Sequence, residues 1–347
     1  MLRWLTSKGI ARHPVVEKKA AEIFQPLQFG IGVRGGCEAI IHAAWSTLYD
    51  SHLTSEERVL LQLDLDNAYN HADRSCLFEE VHKHFPELSA WAEASYGSLA
   101  QLQFSDLIIY SCVGVHQGDP LASLFFALLL LPILTNISQQ VPNLELNVWL
   151  HDNGALIGKA QDLLAAVNIF HQQGPARGLF FSTSKSVVWS PVIHVRNLHF
   201  PLTNQGLQLS SEQGTVLLGA PIASTDYEEA AFEVQINQIE LILNKLPSRS
   251  DPHCEFVLLC SCFAIPKLSY TLHTLDTTNH TSLMDRFDCL IRSALEDILS
   301  SPLTVPTCFC ACVYGWPMTQ AGLQTCSCIL YSLIEFLIPN YWHALPR

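Results

Sequence analysis

Positive charge is what this chain has least of. Lys and Arg number 19 against 32 Asp and Glu, and charged residues make up 15% of the 347, where about 25% is usual. The net charge is −13. A chain so poor in bases is a weak starting point for tight binding to nucleic acid or an anionic membrane, since both depend on Lys and Arg meeting phosphate. The opening run, Met1-Leu2-Arg3-Trp4-Leu5-Thr6-Ser7-Lys8, lacks the apolar stretch of a secretion signal. The longest apolar run, Leu121 to Leu134, has 14 residues and contains Pro132, short of the ~20 that cross a bilayer. These absences lead to the expectation of a soluble, intracellular protein of the cytoplasm or nucleus. Low-complexity tracts and internal repeats are also missing, and a hydrophobic share of 49% excludes a disordered or collagen-like chain. The length suffices for two or three domains with a sizeable core.

Cysteine is plentiful but unevenly placed, with nine of the 12 lying from Cys254 onward. Without a secretion signal these read as reduced thiols rather than a disulfide framework. Cys260-x-Cys262, Cys308-x-Cys310-x-Cys312 and Cys326-x-Cys328, with His253, His273 and His280 nearby, raise the question of structural zinc. The spacing is CxC, not the CxxC usual for that metal, so thiols in helix packing are favoured over zinc.

Along the chain, helical spacing runs from about Pro14 to Phe24 and again from Glu38 to Tyr49. Val59 to Asp64 reads as a short buried strand. Helical patterns follow over roughly 75–85 and 87–103, then a strand candidate at Leu107 to Val113. A tight loop, Gly114-Val115-His116-Gln117-Gly118-Asp119-Pro120, leads into an apolar helix from about Leu121 to Ser138. Leu144 to Leu150 and Ala155 to Ile157 predict a hairpin turning at His151-Asp152-Asn153-Gly154 through its Asn-Gly pair. Leu163 to Gln173 is helical in pattern, and short strand-like pieces lie near 179–189, 198–209 and 215–222. Beyond them Tyr227 to Leu246 and Glu255 to Leu275 are helical. The pattern predicts an α+β domain followed by a helical one.

Three acidic loci stand at the ends of buried strands or in tight loops: Asp64, Asp119 and Asp152. Carboxylates from separate strand ends can converge on a divalent cation, and two such ions can align an in-line attack at phosphorus. A lone Asp at a strand end is more often a cap or turn residue, so spacing alone leaves both readings open.

Residue identity adds to this. Leu63-Asp64-x-x-Asn67-Ala68-Tyr69-Asn70-x-x-Asp73-Arg74 resembles the first palm motif of reverse transcriptases of the non-LTR retrotransposon type. Gly114 to Leu121 resembles the second, a Gln-Gly-Asp-Pro loop before an apolar helix. Trp149-Leu150-His151-Asp152-Asn153-Gly154 stands where that family has Tyr-x-Asp-Asp, and Gly178-Leu179 with Lys185, then Leu217-Leu218-Gly219, resemble the two motifs after it. The resemblance covers about residues 28 to 222 in matching order.

It implies a right-hand polymerase palm, an antiparallel sheet with packed helices, followed by a mainly helical thumb-like region. Residues 1–58 would be a residual fingers segment, 59–222 the palm, and 223–347 the Cys-rich helical region. It further implies template-directed DNA synthesis on an RNA or DNA template–primer with dNTPs and two Mg²⁺ (or Mn²⁺) ions. Asp64 and Asp152 would be the metal-binding aspartates, with Asn153 beside them as the third catalytic position. Tyr69 would lie under the incoming sugar, Gln117 and Gly118 would contact template and nucleotide, and Lys185 would stand near the phosphates. On residue chemistry alone, Tyr69 reads equally as core packing and Lys185 as a solvated amine.

The departures are specific. Asn153 replaces the second hairpin aspartate and removes a negative charge, and Leu150 replaces the hairpin tyrosine. Residues 2–8 resemble the segment just after the fingers motif, so the basic residues upstream of it are not in this sequence. Between 51 and 150 the bases are Arg58, Arg74 and Lys83, against twelve acids, whereas polymerase clefts track the backbone with positive charge. The alternative reading is therefore a catalytically inactive remnant serving as a protein-interaction module.

Overall fold

A computed structural model describes residues 2–49, 58–191, 206–210, 213–249 and 251–300. The chain divides into two compact units, Met1–Ile222 and Ala223–Arg347. The first opens with helices α1 (Leu2–Ala11), α2 (Pro14–Phe24) and α3 (Gly36–Tyr49), followed by strand β1 (Val59–Asp64). Pro14 starts α2, where its missing N–H costs nothing, and the His13 ring caps it by accepting from the Val15 N–H. Next come α4 (Ala68–His71), α5 (Arg74–His84), α6 (Ser89–Tyr96) and a hairpin of β2 (Ala100–Phe104) and β3 (Leu107–Ser111). Asp73 caps α5 by accepting from the Cys76 N–H at 2.8 Å. Helix α7 (Ala122–Gln140) precedes the hairpin of β4 (Leu146–Leu150) and β5 (Asn153–Gly158). Then follow α8 (Ala160–Gln173), β6 (Val187–Trp189), β7 (Gln208–Leu209) and a last hairpin, β8 (Gly214–Leu217) with β9 (Ala220–Ala223).

The central sheet has the order β4-β5-β1-β6-β7. Its pairs are antiparallel except β6 with β7. Both faces of β1 are covered, which explains why Val59-Leu60-Leu61 is a continuous apolar run and not an alternating one. Val59, Leu61 and Leu63 belong to a core shared with α2, α5, α7 and α8. Leu60 points the other way, into a smaller cluster with Ile40, Ala44 and Leu48 of α3 and with Leu217 and Ile222. Gln62, on that second face, donates to Thr215 Oγ1 at 2.8 Å.

Helix α7 is buried nearly all round, from Leu124 through Leu134. Pro132 inside it costs about 3 kcal/mol, but each fully buried Leu or Phe contributes about 1.5–3 kcal/mol. Packing wins, and the helix runs on through Pro132. Helix α7 and the Pro252–Thr274 stretch are long and apolar enough to cross a membrane by length and composition. For α7, core burial accounts for that composition.

In the second unit, α9 (Thr225–Leu243), α10 (Pro252–Leu258), α11 (Ile265–Thr274) and α12 (Thr281–Leu299) surround one core. Phe232, Ile236, Ile239 and Leu243 of α9 and Phe287, Ile291 and Leu295 of α12 supply it at helical spacing. A π-helical turn, Leu259–Phe263, links α10 to α11.

The structure corrects three expectations. Helix α1 was not anticipated, because its pattern is weakly amphipathic and tertiary contacts hold it. The helix expected over 87–103 ends at Tyr96, before Gly97, and residues 100–104 pair with 107–111 instead. That hairpin is exposed, with Phe104, Leu107, Ile108, Ile109 and Tyr110 all facing solvent. The β4–β5 turn is His151-Asp152, since Leu150 already pairs with Asn153 and Trp149 with Gly154. Gly154 is required there for another reason: a Cβ on it would sit 2.8 Å from the Trp149 indole. The pieces expected at 198–205, and Cys308 to Cys328, lie outside the described residues.

Candidate active site

Strand β1 ends at Asp64 and β5 begins at Asn153, and antiparallel register sets the two side by side. Asp152, in the turn before Asn153, is tied in by its carbonyl, which accepts from the Leu65 N–H at 3.3 Å. Residues 182–186 lie along the other side of Asp64. The Ser182 N–H donates to the Asp64 carbonyl at 2.8 Å, and the Asp64 N–H donates to Ser186 Oγ at 3.1 Å. This segment carries Lys185, whose Nζ stands 3.5 Å from Asp64 Oδ1. Asp64, Asp152, Asn153 and Lys185 therefore converge from three separate stretches of sequence.

The electrostatics of the pair are those of two carboxylates in a partly dry place. Burial, together with the neighbouring Asp64 charge, pushes the Asp152 carboxyl above its ordinary range, against the opposing pull of its own backbone N–H and of His151 and Lys185. Asn153 Nδ2 donates to Asp152 Oδ1 at 3.1 Å. The amide thus restrains Asp152 and does not replace the missing charge. Asp64 Oδ1 is buried and, among the described residues, accepts no hydrogen bond. Its cationic neighbour, Lys185, has a side chain 63% exposed, and an exposed pair of this kind is worth at most about 1 kcal/mol. A buried carboxylate oxygen met only by that exposed ammonium among the described residues, beside a second carboxylate pushed above its ordinary range, suits a hard divalent cation. Mg²⁺ is ordinarily held by one or two carboxylates with water and substrate oxygens completing its shell, so Asp64 and Asp152 fit it. Among the described residues no group of three or more His, Cys, Asp or Glu forms a metal cage.

Tyr69 lies in α4, directly after the left-handed Asn67 (φ 45°). Its ring stacks on Phe126 at 4.7 Å and its hydroxyl donates to Ser123 Oγ at 3.2 Å. Burial raises the phenol pKa, and Asp152 adds to the rise while the Ser123 hydrogen bond opposes it, so Tyr69 stands within electrostatic reach of the carboxylates. The Gln117-Gly118 loop joins α4 through the Val115 N–H, which donates to the Tyr69 carbonyl at 2.7 Å. Gln117 and Gly118 are both exposed. Gly178 (φ 73°) backs the end of α4 so closely that a Cβ would clash with the His71 carbonyl oxygen.

Asp119 is not part of the carboxylate pair. It accepts from Tyr96 Oη at 2.7 Å, Arg3 Nη2 at 3.0 Å and the Leu121 N–H at 3.1 Å. Burial would raise its pKa, but these donors outweigh burial and hold it low. Two further residues were not singled out from the sequence. Gln28 is 1% exposed and straps the hairpin turn: its Oε1 accepts from the His151 N–H at 2.7 Å and the Gly30 N–H at 3.0 Å, while Nε2 donates to the His151 carbonyl at 3.0 Å. Arg74 appears in the first motif, yet its guanidinium is spent on backbone carbonyls before the Gln-Gly-Asp-Pro loop. A Gln or Arg inside an otherwise apolar setting was the available signal, but its target lies far away in sequence.

Residues 6–220 match the model of the family described as reverse transcriptase (RNA-dependent DNA polymerase). No curated protein sequence matches the chain. Among solved structures, telomerase from Candida albicans, in complex with a TWJ fragment of telomeric RNA, superposes with a TM-score of 0.50 at 11% identity, over 86% of this chain and 54% of that one. Apo telomerase from Candida tropicalis gives 0.46 at 11% identity, over 82% and 53%. The chain thus spans about half the length of the telomerase chains it resembles, and at that identity the likeness concerns the fold. With the family model covering well over half of the sequence, the chain belongs to the reverse transcriptase family.

Proposed function

We propose that the chain is a polymerase core of non-LTR retrotransposon origin, built for template-directed addition of deoxynucleotides to a primer 3′-hydroxyl. In this reading residues 1–58 are a residual fingers segment, 59–222 the palm and 223–347 a thumb-like region. The observation that carries it is the approach of Asp64, at the end of β1, to Asp152, in the turn before β5, with Asp64 Oδ1 left without a hydrogen bond among the described residues. These two carboxylates would hold Mg²⁺, which when bound supplies charge neutralisation and alignment for nucleotidyl transfer. Tyr69, fixed against Phe126 and Ser123, would present its ring edge to the sugar. Lys185, with an exposed side chain, would turn from Asp64 to the triphosphate. Gln117 and Gly118 would meet template and nucleotide on their open side. The RNA–DNA template–primer is the partner, in line with the nucleic acid bound by the telomerase relative.

Asn153 lowers the charge facing the metal, and several kcal/mol of barrier can rest on such a carboxylate. A second reading, the inactive remnant acting as an interaction module, is favoured by one observation. Each of the three bases between residues 51 and 150 is engaged within the chain: Arg58 with Glu145 at 2.7 Å, Lys83 near Glu80 at 3.7 Å, and Arg74 on carbonyls. Primer extension on an RNA template with Mg²⁺, then Mn²⁺, separates the two. Extension by the parent that vanishes in Asp64→Ala establishes the polymerase, and extension only in Asn153→Asp puts the defect in one carboxylate. Silence from the parent, Asn153→Asp and Asp64→Ala alike favours the module.

A further inference from the structure

The loop bearing Gln117 and Gly118 is gripped from two sides by residues outside the metal pair. On one side Arg74, 8% exposed, donates to the carbonyls of Gly114 (2.8 Å), Val113 (3.1 Å) and Ser111 (3.1 Å), to Ser111 Oγ (3.0 Å) and to the Tyr96 carbonyl (3.2 Å). On the other, Trp4 Nε1 donates to the Gly118 carbonyl at 3.0 Å. Arg3 Nη2 donates to Asp119 Oδ2 at 3.0 Å and contacts His116 Nδ1 at 3.3 Å. Burial first, then the charges of Arg3 and Arg74, lower the His116 pKa, and its Nδ1 faces the Arg3 guanidinium, which can only donate. Both arginines also meet the ring of Tyr96, which is 1% exposed. Its centroid is 5.2 Å from the Arg3 guanidinium carbon and 5.6 Å from that of Arg74, and its hydroxyl donates to Asp119.

Arg3, Tyr96 and Arg74 together fix the inner side of the loop by hydrogen bonds and cation–π contact. The outer side is open: Gln117 is exposed, and a Cβ built on Gly118 meets nothing within 4 Å. Arg3 and Trp4 are each about half exposed. Although the Asp119 side chain is only 7% exposed, it keeps the Tyr96 hydroxyl and the Leu121 N–H as donors when Arg3 is removed, so these two contacts add little to global stability. Both nonetheless bear on the two consecutive residues Gly118 and Asp119. A pair that hardly stabilises the fold but pins one loop on one side is suited to holding that loop in shape for something on the other.

We propose that Arg3, Trp4, Tyr96 and Arg74 are positioning residues that preset the Gln117-Gly118 loop for a template–primer. The inference rests on the polymerase reading above, and its test separates the two. Full-length parent, Trp4→Phe, Arg3→Ala and Arg3→Lys are titrated onto a labelled RNA–DNA template–primer by fluorescence anisotropy, which needs no turnover. Hydrogen exchange of residues 113–121 and the thermal midpoint are measured on the same samples. Loss of one such hydrogen bond should weaken binding about fivefold in Trp4→Phe and Arg3→Ala, with partial recovery in Arg3→Lys. Exchange at Gln117 to Asp119 should quicken while the midpoint stays within about 2 °C of the parent. Unchanged binding or unchanged loop exchange in the variants overturns the clamp alone. So does a midpoint that falls in step with affinity, since that is a purely structural role. A parent that does not bind the hybrid overturns the polymerase reading and the purpose of the clamp with it.

Discussion

Asn153 spends its amide on Asp152 Oδ1, so the residue in the second aspartate position restrains the first without adding charge. Restoring the carboxylate has two opposed consequences. It puts a further negative group beside Asp64 and Asp152, where burial and the Asp64 charge already push the Asp152 carboxyl upward, and it offers a cation another oxygen. Without metal, Asn153→Asp should therefore lower the thermal midpoint. With Mn²⁺ it should bind the ion about tenfold more tightly than the parent, as expected when one more carboxylate faces a divalent cation. Mn²⁺ titration followed by electron paramagnetic resonance and thermal melting reads both effects, and Asp64→Ala should erase the metal response. A parent protein whose midpoint ignores Mn²⁺ would remove the metal site from consideration. One residue further on, Gly154 faces the Trp149 indole with no room for a methyl group. Gly154→Ala should cost about 1–3 kcal/mol through overpacking, and urea unfolding of the parent against the variant measures it.

Held between β1 and the extended segment at Gln28, the β4–β5 hairpin is fixed on both sides. The Phe29 N–H donates to the Trp149 carbonyl at 2.7 Å and the Trp149 N–H to the Leu27 carbonyl at 2.8 Å, and the Gln28 side chain closes over the turn. Gln28→Met keeps the volume but orphans the His151 N–H and carbonyl and the Gly30 N–H. Destabilisation of about 2–4 kcal/mol should follow, with faster hydrogen exchange at residues 149–153. Exchange confined to the parent rate would show that main-chain pairing alone suffices. Elements like β1 and α7 were legible in the sequence because burial dictates their composition on every side. Helix α1 was not, since what holds it is tertiary: the Trp91 indole donates to Ser7 Oγ at 3.3 Å, and Arg3 and Trp4 reach the Gln-Gly-Asp-Pro loop. The same division runs through the site. Asp64, Asp152 and Lys185 could be found from motifs because each sits at a strand end or in a short turn. Gln28, Arg74 and Tyr96 act on partners up to 123 residues away, and local pattern carries no trace of such partners. The Asn-Gly pair misled because Gly154 answers to an indole across the strand and not to a turn.

At the scale of the whole molecule the acidic excess, −13, is compounded by where the bases go. Arg3, Lys19, Arg58, Arg74 and Arg177 are all engaged with acids or carbonyls of the first unit, while Arg12, Arg34 and Lys159 are exposed. Acid is also buried in the second unit. Glu228, near the start of α9, is 6% exposed, with His280 Nε2 3.6 Å from its Oε2. Burial, and then the charge of Asp276, push its carboxyl up from 4.5 to about 7. A group whose pKa rises on folding stabilises the fold while protonated in both states, and that contribution is lost as pH climbs from the unfolded value through the folded one. The helical unit should therefore weaken between about pH 4.5 and 7, by on the order of 3 kcal/mol from this one side chain. Glu228→Gln keeps the shape and removes the titration. It should match the parent near pH 5 and exceed it near pH 8, as read by hydrogen exchange of residues 281–299 in the full chain at each pH. Parallel curves for parent and Glu228→Gln from pH 5 to 8 would show that Glu228 titrates alike in the folded and unfolded chain, and that water reaches it in spite of its burial.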